Sequence, residues 1–131
     1  MQYLAAVAFA AAILAQPASA ITFSKLTTIY VGSGVVDSGG GDNVGLATIF
    51  NCSNARGVTA TVRFLVLSTY GVNANKSVVL PHGETVVAAT DETAVSFETL
   101  SLDVMSILNG GMVNIESTQS GVFCNAAFVV S

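Results

Sequence analysis

Residues 58–69 read VTATVRFLVLST, and their alternation decides the fold. Val58, Ala60, Val62, Phe64 and Val66 share one parity; Thr59, Thr61 and Arg63 share the other. Period two is the signature of a β-strand with one face turned to a core. Toward its end Leu65 and Leu67 make the second face apolar as well, so this strand is expected to be central in its sheet.

The neighbouring segments read the same way. On the N-terminal side, residues 53–57 (SNARG) form a turn that separates 58–69 from a strand at 45–52. In that strand Leu46, Thr48, Phe50 and Cys52 lie on one face. Residues 26–31 (LTTIYV) are β-branched and aromatic and read as a further strand. Between them, 32–45 (GSGVVDSGGGDNVG) has the composition of a long loop. On the C-terminal side, 70–75 (YGVNAN) reads as a turn. Strands at 76–80 and 85–90 flank Pro81-His82-Gly83-Glu84, a hairpin connection by its turn chemistry. Residues 91–108 fit neither period, so short strand pieces and an irregular or helical turn both stay open. Asn109-Gly110-Gly111 signals a turn, and 112–118 with 122–130 are expected to close a last hairpin across Gln119-Ser120-Gly121.

About seven short strands without a helical period or an internal repeat predict an all-β domain. The expected architecture is an antiparallel β-sandwich, immunoglobulin-like in general architecture, with a small β-barrel as the alternative. The chain has no tryptophan to pack on a disulfide, so a true antibody-type domain is not supported. The phenylalanines at 23, 50, 64, 97, 123 and 128 are expected in the core.

The N-terminus carries an address. Residues 4–15 (LAAVAFAAAILA) are unbrokenly apolar, followed by Gln16-Pro17 and then Ala18-Ser19-Ala20. Such a run is short for a bilayer, which takes about 20 residues, and small residues at 18 and 20 suit a signal peptidase. Residues 1–20 are thus expected to be a secretory signal peptide cleaved after Ala20. That leaves 21–131 as a single β-sandwich domain, secreted or periplasmic, with no membrane span after cleavage. Only two cysteines are present, Cys52 and Cys124. Each lies on the more apolar side of its strand, and an even count in a small exported domain predicts a disulfide between them. A zinc site or a catalytic thiol would need further ligands or a base, and His82 is the only histidine.

Composition narrows the function classes. The chain has four basic and eight acidic residues and a net charge of −4, which disfavours nucleic acid and anionic membranes as partners. His82 sits in a tight turn without an evident nucleophile beside it. Asp91 and Glu92 are adjacent in sequence, so on a strand they would point apart rather than converge. Asp37, Asp42 and Asn43 in the glycine-rich loop form a candidate binding loop, but their spacing matches no calcium motif. Gly39-Gly40-Gly41 lacks the Lys-Ser/Thr of a phosphate loop. Sequons stand at Asn51 and Asn75.

No catalytic residue, metal or cofactor is expected. The function expected is that of a non-enzymatic binding, adhesion or structural domain. Its partner would be an unidentified protein or glycan, or further copies of the chain in a homo-oligomer. A subunit of a pilus-like or coat-like assembly is the alternative, and a small secreted hydrolase using Asp or Glu comes after it.

Overall fold

The computed structural model describes residues 21–40, 44–94 and 96–130. The chain is all-β, with two four-stranded sheets packed as a sandwich. Its strands are β1 (Thr22–Asp37), β2 (Leu46–Asn54), β3 (Ala60–Ser68), β4 (Gly71–Leu80), β5 (Thr85–Ala89), β6 (Leu100–Ser101), β7 (Ile107–Gln119) and β8 (Val122–Val130). One sheet runs β1-β7-β3-β4 and the other β6-β5-β2-β8. All pairings are antiparallel except that of β5 with the two-residue β6.

The strand read first behaves as expected. β3 lies between β7 and β4, with Val62, Phe64 and Val66 fully buried and Leu65 and Leu67 half-buried on the outer face. The core joins those residues to Phe50 and Cys52 of β2, Val86 and Ala88 of β5, and Val113 and Ile115 of β7. Phe50 and Phe64 meet across the sheets, ring centroids 6.4 Å apart. The Cys52–Cys124 bridge is formed; the two residues are direct partners in the β2–β8 ladder, their Cα atoms 4.2 Å apart.

Four expectations change. β1 runs on to Asp37, well into the glycine-rich stretch, because Gly34 takes φ 76° where the register with β7 slips between Ser33 and Val35. A side-chain-free residue absorbs such a bulge without ending the strand. Gly110 (φ 77°) does the same within β7, so Asn109-Gly110-Gly111 kinks a strand rather than ending one. The turn expected over 70–75 shrinks to Thr69-Tyr70, and β4 starts at Gly71.

The fourth concerns the two expected hairpins. β4 and β5 lie in different sheets, and so do β7 and β8. The end of β2 at Asn54, with Ala55 after it, accounts for both. The Asn54 backbone N–H donates to Glu84 O and its carbonyl accepts from Gly83 N–H, at 3.0 and 2.8 Å, which draws the 81–84 turn onto β2. Next to it, Ala55 N–H donates to Gly121 O at 3.0 Å and draws the 119–121 turn the same way. Each turn therefore becomes a corner between sheets.

Across the 91–106 stretch the chain returns along sheet edges. Lys76 of β4 is ion-paired with Asp103 and donates to Ser101 O at 2.9 Å. Asp103 adopts φ 51°, a left-handed conformation that Asp and Asn tolerate better than most residues. The hydrogen bond from Lys76, then that from Ser101, holds the Asp103 carboxyl below its ordinary value of 3.8. A carboxyl lowered in the folded state stabilises it at pH values above its unfolded value; this contribution fades as pH falls through the folded value. Asp103→Asn keeps the backbone fit and removes the charge. Its urea midpoint is expected to lie below wild type at neutral pH and to converge on it under strongly acid conditions. Equal midpoints at pH 7 would show the pair to be inert.

Candidate binding groove

At one seam of the sandwich the two sheets do not close over each other. β1 is an edge of its sheet and β8 an edge of the other. The C-terminal end of β1 folds over onto β2: Ser38 N–H donates to Leu46 O at 2.8 Å, and the Thr48 hydroxyl both accepts from Val36 N–H and donates to Val36 O. Beside that corner lies a groove of about 220 Å³. Tyr30, Gly32 and Ser33 form one wall, Ala126, Ala127 and Phe128 the other, and Val35, Phe50 and Val113 the floor. Among the described residues the lining carries no ionisable acid or base apart from the tyrosine hydroxyl, and the Thr48 hydroxyl is committed to backbone.

Gly32 shapes the wall. A Cβ there would stand 3.1 Å from Tyr30 Cε1 and 3.2 Å from Val113 Cγ1, so the absence of a side chain lets the tyrosine ring lie against the strand. Opposite, the parity of β8 turns Val122, Cys124, Ala126, Phe128 and Val130 toward the interior. Val122 is buried, yet Phe128 is 61% and Val130 71% exposed. Among the described residues, no opposing strand covers these core-facing side chains. On the outer face Phe123 is 54% exposed, with the Arg56 guanidinium 5.7 Å from its ring centroid.

Three phenylalanines expected in the core are therefore at the surface: Phe123, Phe128 and Phe97, the last 99% exposed in the 91–99 loop. Two of them lie on β8, whose periodicity carries no signal of exposure. Its sequence, VFCNAAFVV, is apolar on both parities, the pattern of a covered central strand, but the strand is an edge.

The other residues singled out from sequence are dispersed. Asp37 ends β1 and is buried; its Oδ1 accepts from Gly39 N–H at 2.8 Å, and its Oδ2 has no hydrogen-bond partner among the described residues. Asp42 and Asn43, its companions in the proposed binding loop, lie outside the described residues, as do Ala18 and Ala20 of the cleavage site. His82 is exposed in the 81–84 turn. Asp91 Oδ1 accepts from Glu92 N–H, and both stand at the entry to the 91–99 loop. Asn51 Nδ2 donates to Asn125 Oδ1 at 3.2 Å, while Asn75 is exposed on β4. Among the described residues, no three His, Cys, Asp or Glu side chains converge.

A larger hollow of about 620 Å³ lies under the 92–101 loop, walled by Glu92, Glu98 and Phe97. The Glu98 carboxylate accepts from Thr93 N–H at 2.7 Å and holds the loop's own turn. It is a structural brace, so the smaller apolar groove is the better site. Comparison of the chain with protein families, with curated proteins and with solved structures finds no match.

Proposed function

We propose that the chain is exported, cleaved after Ala20, and acts in the periplasm or outside the cell as a non-enzymatic binding and structural module. Its working surface in this reading is the seam between β1 and β8. The disulfide belongs to an oxidising compartment, which supports export.

The observation that carries the binding reading is the exposure of Phe128 and Val130, side chains that face a core and that no strand among the described residues covers. An apolar, uncharged groove beside two strand edges favours an extended segment of a protein over a glycan. Such a segment adds backbone hydrogen bonds along the edge and places alternate apolar side chains inward. A glycan would ask for polar partners that this lining does not offer.

The test has two arms. The mass of the exported protein should correspond to residues 21–131 with the bridge intact. A capped peptide of alternating valine and threonine, titrated into 15N-labelled protein, should shift the amides of Gly32, Ala126, Ala127 and Phe128. In Gly32→Val the added side chain collides with the Tyr30 ring and Val113, and the shifts should weaken. Shifts confined to the 92–101 loop, or none at any peptide concentration, contradict the reading.

A further inference from the structure

We infer that β8 docks a second copy of this chain: two β8 strands pair antiparallel through their open edges about a two-fold axis at Ala126. This assignment rests on the reading of the β1/β8 seam as the working surface, and it names the partner.

The sandwich has four edge strands among the described residues, and three are blunted. β6 is two residues long. β4 carries Lys76 and a register shift against β3. β1 carries Lys25, Asp37 and four register shifts against β7. Short edges, charges and bulges are the devices that stop edge-to-edge pairing. β8 has none of them. Its nine residues, VFCNAAFVV, include no charge, no proline and no glycine, and its ladder with β2 runs without a shift. Its length is about 30 Å at the usual strand rise.

The hydrogen-bond parity of that edge can be read from its neighbours. On β2 the even residues direct their backbone toward β5: Thr48 O accepts from Thr90 N–H, and Asn54 N–H donates to Glu84 O. The odd side continues toward β8, where Ala55 N–H donates to Gly121 O. The register pairs odd residues of β2 with odd residues of β8, as in Asn51 with Asn125. Cys52 and Cys124, at 4.2 Å, have the close spacing of a non-hydrogen-bonded pair. So the odd residues of β8 bond to β2, and Val122, Cys124, Ala126, Phe128 and Val130 present their N–H and C=O groups to the open side.

With the axis at Ala126, those groups meet their own equivalents. Ala126 faces Ala126 of the other copy, Cys124 faces Phe128, and Val122 faces Val130, each as a hydrogen-bonded pair. On the outer face Phe123 meets Val129, and Asn125 meets Ala127. β8 itself brings no ionisable side chain to the contact, Arg56 borders it at each end with its guanidinium 5.7 Å from the Phe123 ring centroid, and the two small alanines sit where the strands approach at the centre. The two phenylalanine rings of each copy expose on the order of 200 Å². With Val130, the alanines and the strand edge, the contact reaches roughly 500 Å² per copy, the threshold of a specific interface. An isologous contact of this kind closes after two copies and does not propagate.

The register gives a test that does not depend on unfolding, because Asn125 and Ala127 are exposed on the outer face. Sedimentation of the processed, oxidised wild-type protein should show mass rising with concentration from one chain to two. Ala127→Lys, which sets two ammonium groups near each other across the axis, should weaken dimerisation at least about tenfold, and Asn125→Glu likewise. The two substitutions in one chain should restore it, because position 125 of each copy faces position 127 of the other. A wild type that stays monomeric at its solubility limit overturns the inference. So do a dimer indifferent to both single variants, a double variant no better than either, and masses beyond two chains. If the wild type is monomeric and the valine–threonine peptide still shifts Gly32 and Phe128, only the self-docking falls. If the peptide is also silent, the seam falls with it.

Discussion

Replacing Cys52 and Cys124 together by alanine is expected to lower the unfolding free energy by roughly 4 kcal/mol. The bridge spans 72 residues of sequence, and the closure of so long a loop removes a large share of the unfolded chain's conformations. Cys52 is also fully buried in the core, so its alanine leaves lost contacts as well as a lost constraint. A domain of this size has about 5–15 kcal/mol in total, so the variant should unfold at a markedly lower urea concentration. The dependence of its stability on urea should steepen, since an unbridged unfolded chain exposes more surface. Wild-type protein kept reduced should behave like the variant. A midpoint unmoved by either treatment would mean that the sandwich does not depend on the bond.

The second large effect belongs to Asn54. Its side chain is fully buried, and Nδ2 donates to Val58 O at 2.8 Å and Leu80 O at 2.9 Å. Oδ1 accepts from Gln119 Nε2 at 2.7 Å, and Gln119 Oε1 in turn accepts from Gly121 N–H. One amide thus ties the end of β2 to the end of β4, the 55–59 turn and the end of β7. Asn54→Ala leaves Val58 O with only the longer contact from Gln119 Nε2 at 3.3 Å, and leaves Leu80 O without this donor in a site closed to water. The expected loss is about 3 kcal/mol. Gln119→Ala should cost less. The double variant should cost less than the sum by about 1–2 kcal/mol, since the first substitution already breaks the bond the second removes. Strict additivity in denaturant unfolding would show that the two amides act separately.

That residue also marks where sequence reasoning stops. The alternation of Val62, Phe64 and Val66, the burial of Phe50 and the pairing of the two cysteines are all legible, because side-chain parity reports which face is wet. Parity does not report which strand lies alongside. Pro81-His82-Gly83-Glu84 has the chemistry of a hairpin turn and the right length for one. It becomes a corner between sheets because Asn54, far off in sequence, takes its backbone groups. The same holds at Gln119-Ser120-Gly121, where Ala55 takes the Gly121 carbonyl. Gly34 and Gly110 read as chain breaks but work as bulges inside long strands, because their partners in the opposite strand hold the ladder on either side.

The seam was hidden for a related reason. Two apolar faces on β8 mean a covered strand only if the strand has neighbours on both sides. Its place at an edge turns the same residues, Phe123, Phe128 and Val130, into an exposed surface. Edge position is a property of topology, which single-sequence periodicity does not contain. Asp37 was legible as a loop-forming residue but not as a buried one, since its burial depends on the closure of β1 onto β2.

Amide hydrogen exchange along β8, read residue by residue in dilute, monomeric, oxidised protein, tests the open seam most directly. Alternation is expected: Phe123, Asn125, Ala127 and Val129 protected by their bonds to β2, and Cys124, Ala126 and Phe128 exchanging quickly from the open side. Uniform protection along the strand would mean that β8 is already covered, and would contradict the open seam.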